Sequence, residues 1–135
     1  MSTSVTIHDG DMRCRTVWEP SSQECTTDVG AAAGGKGEYP SPAAMMSAAV
    51  ASCMLSMIAW TGKHKGFETR GVHIAAGYET DDKGAITALS FDISVPVPTT
   101  PASRRMMEKA AEHCPVGAII STSVEKKITW NWSEH

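Results

Sequence analysis

Twenty consecutive residues, Ala43 to Gly62, carry no charge, and nothing else in this chain constrains its fold as tightly. A stretch of that length is long enough to cross a bilayer. It is built mainly from Ala, Ser and Met, however, with Ser47, Ser52 and Ser56 inside it. In an otherwise polar chain it reads as a helix buried on nearly every side. Ser41 supplies an N-cap and Pro42 the first helical position. Lys63, His64 and Lys65 complement the C-terminal dipole, and Gly66 ends the helix. The expected central helix spans 42–65.

What surrounds this helix is strand-like. Met12, Cys14, Thr16 and Trp18 alternate with Arg13, Arg15 and Val17, and a second short strand follows near 23–29. Residues 1–30 are therefore expected to hold an N-terminal hairpin, and the glycine-rich segment 31–41 a mobile loop. Beyond the helix, Val72, Ile74, Ala76 and Tyr78 alternate, turn at Asp81–Gly84, and meet a run of Leu89, Phe91, Ile93, Val95 and Val97. Thr100-Pro101 opens a second helix, Cys114-Pro115 a short third one through Ile120. In the last strand Val124, Lys126, Ile128, Trp130 and Trp132 share one face. Residues 70–135 thus read as hairpin, helix and strand. The whole chain is expected to be a single α+β domain of antiparallel sheets around the helix. Five or six short strands are too few to cover a helix that is apolar all round, so an obligate homodimer with an isologous interface is expected.

With 135 residues the chain fits one domain. Its 15 acidic and 12 basic side chains give a net charge of −3, which argues against nucleic-acid binding. The opening residues show no basic region followed by an apolar one, so no signal peptide is read and a cytoplasmic setting is expected. In such a reducing compartment Cys14, Cys25, Cys53 and Cys114 are expected as thiols rather than permanent staples. No Cys or His spacing supports a metal site, and Cys14 and Cys25, which could face each other across the first hairpin, read as structural. If Pro115 opens a helix, Cys114 is its N-cap, where free N–H groups and the dipole favour a thiolate. Burial as a small hydrophobe is the equal alternative. Cys53, among Ala49, Val50, Met54, Met57 and Ile58, reads on its own as core packing.

The run Ser41–Met54, with Glu112-His113-Cys114-Pro115-Val116 and a closing strand, resembles the OsmC/Ohr family of thiol-dependent hydroperoxide reductases. The resemblance covers the chain from about residue 36 onward. It implies an OsmC-like intertwined homodimer with long central helices back to back. It also implies a peroxidatic Cys53 and a resolving Cys114, with organic hydroperoxide as substrate, an external dithiol as reductant, and no bound cofactor or metal. These roles reverse the ranking that position alone suggests.

One family feature is missing. Peroxidase members typically carry a glutamate just after the proline that opens the central helix, paired with an arginine from the preceding loop. This chain has Ala43 there, and 30–40 holds no arginine. Candidates to activate the thiol instead are Arg15, with Arg13 beside it, Lys36 and Glu38. Two readings remain open. One is a hydroperoxide reductase with atypical activation. The other is a non-catalytic OsmC-like protein that binds an apolar ligand or senses redox state, without a nucleic-acid or membrane partner in either case.

Overall fold

The computed structural model describes residues 3–133. The chain forms two compact units, one up to Met45 and one from Met46. It is α+β, with two small sheets and a long central helix.

The first unit is a three-stranded antiparallel meander of β1 (Ser4–Gly10), β2 (Arg13–Trp18) and β3 (Gln23–Thr27). β2 and β3 are the expected hairpin, and β1 is a further strand in front of it. Asp11 and Met12, at φ 54° and 64°, join β1 to β2 between the paired Gly10 and Arg13. Two consecutive left-handed residues match the right-handed strand twist, the geometry of a type I′ turn.

The glycine-rich segment after β3, expected to be a mobile loop, is tied to its surroundings by several hydrogen bonds. Asp28 is 1% exposed and pins it. One carboxylate oxygen accepts from the Val29 N–H at 2.8 Å, and the other from the Glu38 N–H at 3.1 Å and Arg13 Nη2 at 3.0 Å. The Asp28 N–H donates to the Pro40 carbonyl, and Gly37 N–H to that of Val29. Gly35 packs so closely that a Cβ would lie 2.1 Å from the Val29 oxygen. One short 3-10 turn, Ala31–Ala33, is the only helical element described between β3 and the long helix.

α1 (Pro42–Lys65) begins as the sequence predicts, with Ser41 Oγ accepting from the Ala44 N–H at 3.1 Å. In the second unit it buries Val50, Met54 and Ile58 in one cluster with Leu89, Phe91, Ile93 and Val95 of β5 (Ile86–Val95). Met107, Ala110 and Ala111 of α2 (Pro101–Glu112) complete that core. α2 starts on a reciprocal box between Thr100 and Ser103, each side chain accepting from the other's N–H. By length and composition α1 would also suit a membrane, and 28% of its most apolar window is buried within the chain.

The second sheet corrects one expectation. β4 (His73–Thr80) pairs antiparallel with β5, but β6 (Glu125–Trp132) pairs parallel with β5, Phe91 opposite Ile128. The reason is the connection. α2 and the short α3 (Pro115–Ala118) stand between β5 and β6, and a helical crossover returns the chain in its original direction.

Burial pushes the Asp28 carboxyl upward, but the Arg13 bond, the two backbone N–H bonds and the Arg13 charge outweigh it and hold the pKa at about 2. A depressed carboxylate contributes stability above its unfolded pKa of about 3.9, and that contribution disappears as pH falls through the folded value. Thermal melts by circular dichroism between pH 7 and pH 2 are expected to show stability falling across that window. Asp28→Asn should melt lower at pH 7 and show a shallower acid dependence.

Candidate functional site

The site grows from a break in a helix. α2 ends at Glu112, and His113 caps it with its N–H shared between the Lys109 and Ala110 carbonyls. Pro115 lacks the N–H that would continue the ladder and opens α3 instead. Cys114, caught between them, becomes the N-cap of α3. Its Sγ accepts from the Gly117 N–H at 3.1 Å, and its S–H points to the Val50 carbonyl of α1 at 3.9 Å. The residue is 2% exposed. Gly117 is there for space, since a Cβ would stand 3.2 Å from the Cys114 sulfur.

Cys53, one turn along α1 from Val50, faces the same place. It is close enough that its thiol acts on Cys114 both as a hydrogen-bond partner and as a charge. The structure therefore brings the two expected cysteines together, both as free thiols. They are not equivalent. Cys53 is half-buried, and Cys114 is sealed.

The position of Cys114 does not activate it as the N-cap argument suggests. Burial, the largest influence, pushes its pKa up; the Gly117 N–H pulls it down; a neighbouring Cys53 thiolate pushes it up again. The net direction is upward, so desolvation defeats the cap. A four-residue helix offers few aligned peptides with which to resist it.

A cavity of about 240 Å³ adjoins this thiol. Val50, Met54, Phe91, Ala111 and Ile128 make its apolar wall, while Cys114, Glu112 and Lys126 bring polar groups to it. Lys126 and Gly117 were not singled out from the sequence. The signal for Lys126 was present, because it takes a register position otherwise filled by Val124, Ile128, Trp130 and Trp132.

The candidate activating residues lie in the first unit and have partners there. Arg15 donates to Asp9 at 3.1 Å and Glu24 at 3.3 Å. Lys36 stands 3.9 Å from the Asp11 carboxylate. Glu38 accepts from Arg13 at 2.7 Å, and the Arg13 guanidinium also lies over the Tyr39 ring. Cys14 and Cys25 share a face of that sheet but not a register position: Cys14 is opposite Thr27, and Cys25 opposite Thr16. The Cys25 thiol instead meets the Met45 sulfur at 4.0 Å. Among the described residues no cluster of three His, Cys, Asp or Glu side chains could hold a metal ion.

The model of the OsmC-like protein family matches residues 35–129, a span that contains both thiols. The chain belongs to the OsmC-like family. No curated protein sequence matches it. Among solved structures, it is similar to a Psychrobacter arcticus protein assigned to osmotic stress induction and the detoxification response, at 23% identity and a TM-score of 0.91, covering 97% of this chain and 96% of that one. It is also similar to an organic hydroperoxide resistance protein OsmC from Legionella pneumophila, at 17% identity and a TM-score of 0.75, again covering 97% and 96%. A third is the organic hydroperoxide resistance protein OhrB of Bacillus subtilis, at 14% identity and a TM-score of 0.69, covering 97% and 98%. At these identities the likeness is one of OsmC-like fold.

The thiol electrostatics can be read directly. Peptide-resolved alkylation across pH is expected to place the Cys114 midpoint above the value of about 8.5 for a free thiol. Cys53→Ser removes one of the upward influences and should lower that midpoint. A midpoint at or below the free-thiol value would contradict the burial argument.

Proposed function

We propose that this OsmC-like chain reduces organic hydroperoxides through Cys53, with Cys114 as the resolving thiol. The observation that carries the reading is the asymmetry of the pair: two adjacent thiols, one half-buried and one sealed with a raised pKa. The accessible thiol meets the peroxide, and the sealed one keeps its proton until it is needed.

In the first step the Cys53 thiolate attacks the terminal hydroxyl oxygen of R–O–O–H. The S–O bond forms, the O–O bond breaks, and the departing alkoxide takes a proton to become the alcohol. Cys53 is left as a sulfenic acid, two electrons oxidised. In the second, the Cys114 sulfur attacks the Cys53 sulfur. The disulfide forms, the S–O bond breaks, and the hydroxide leaves with the Cys114 proton as water. An external dithiol then exchanges with the disulfide, restoring both thiols and becoming a disulfide itself.

The same reading includes a homodimer in a reducing cytoplasm. Its support is the outer side of α1, where Trp60 is 59% and Met46 44% exposed on a helix with no charge before Lys63. A second copy of the same helix would cover that face. Sedimentation is expected to give twice the 14.4 kDa of one chain.

The enzymatic test is consumption of cumene hydroperoxide with dithiothreitol as the dithiol. The wild type is expected to turn over, and Cys53→Ser to fall to the background of dithiol alone. With the dithiol left out, Cys114→Ser should consume one peroxide per chain and stall in the sulfenic acid. Equal rates for wild type and Cys53→Ser would overturn the proposal and leave the apolar cavity beside Cys114 as a ligand-binding site.

A further inference from the structure

Gly117 is held from both sides. Its N–H donates to the Cys114 sulfur at 3.1 Å, and its carbonyl accepts from Lys126 Nζ at 3.0 Å. The point where a Gly117 Cβ would stand lies 3.2 Å from that sulfur and 3.8 Å from that ammonium, so thiol and cation flank one glycine. The helix they flank, α3, has four residues and a single turn of backbone bonds. A turn that short is not self-supporting and takes its geometry from outside contacts. Lys126 is such a contact, reaching from β6, where its neighbours on the same face, Ile128 and Trp130, pack on the core. The Gly117 carbonyl also accepts from the Ile120 N–H at 3.2 Å, and Lys126 adds a charged donor from outside the turn.

We propose that Lys126 is a positioning residue for the resolving step. It fixes the Gly117 peptide from β6, and the Gly117 N–H in turn keeps the Cys114 sulfur aimed across at Cys53. This rests on the disulfide mechanism above and adds a residue to its second step alone. As Cys114 attacks the Cys53 sulfenic acid, its sulfur gives up a proton to the departing hydroxide and takes on thiolate character. The Gly117 N–H stabilises that character only while the peptide stays in place. The first step makes no use of the clamp, because peroxide reacts at Cys53.

Lys126→Met keeps the aliphatic stem and removes the donor; Lys126→Arg restores a donor. The two steps are followed separately, sulfenic acid by trapping with dimedone and disulfide closure by quenched intact-mass measurement. Lys126→Met is expected to slow closure about tenfold more than it slows sulfenic acid formation, the order expected for loss of one charge-assisted hydrogen bond. Lys126→Arg should recover most of that loss. Unchanged closure in Lys126→Met, or equal slowing of both steps, would overturn the proposal. Amide exchange of Gly117 in the reduced protein decides the clamp independently of turnover: Lys126→Met should speed it about tenfold, and an unchanged rate would remove the clamp. If the wild type forms no sulfenic acid, the disulfide reading and the role in resolution fall together, while faster Gly117 exchange would still identify Lys126 as the anchor of α3.

Discussion

Burial of one side of α1 against β5 and α2 is the interaction on which the rest depends. Val50, Met54 and Ile58 enter a single core with Leu89, Phe91, Ile93, Val95 and Met107. Each such side chain contributes about 1.5–3 kcal/mol when fully removed from water, and none of them is polar. Cys53 rides on the same helix, next to Met54, so its place is set by that packing. Cys114 is seated by it too, since its thiol lies over the Val50 carbonyl. A helix with a charge anywhere on this side could not bring a thiol so close to the end of α2 without desolvating that charge.

The chemistry follows from a contest within this dry setting. An N-cap position and a backbone N–H favour a Cys114 thiolate, while burial and the nearby Cys53 disfavour it, and the disfavouring side prevails. The result is two unequal thiols, and the proposed mechanism divides the labour between them. In that proposal the thiol that stays protonated is a poor first attacker and suits the second step, where its proton goes to the group that leaves. The Gly117 N–H weighs on the thiolate side of that balance, and Lys126 holds the carbonyl of the same residue.

How much of this was legible depended on how local each signal was. The long helix, its Ser41 cap and the Cys114–Pro115 restart were legible because each is written in adjacent residues. β1 was not, although Val5 and Ile7 alternate with Ser4 and Thr6. They are 42% and 40% exposed at the edge of a sheet, and the hydrophobic contrast that marks a strand is weak there. The parallel direction of β6 is a property of the connection through α2 and α3, which residue alternation does not carry. The loop after β3 looked mobile because its glycines are visible in sequence and its anchor is not; Asp28 becomes an anchor only when Arg13 and the Glu38 N–H reach it. The ionisation of Cys114 was left open between cap and burial for a similar reason, since the cap is local and the burial is not.

Both thiols, the cap, the cavity and the OsmC-like fold converge on one pair of sulfur atoms. Treating fully reduced protein with one equivalent of cumene hydroperoxide, then mapping disulfides by mass spectrometry, tests that convergence most directly. Rapid formation of a Cys53–Cys114 bridge, with Cys14 and Cys25 still reduced, is the predicted result. Thiols that remain reduced, or that oxidise no faster than free cysteine and without preference for this pair, would contradict it.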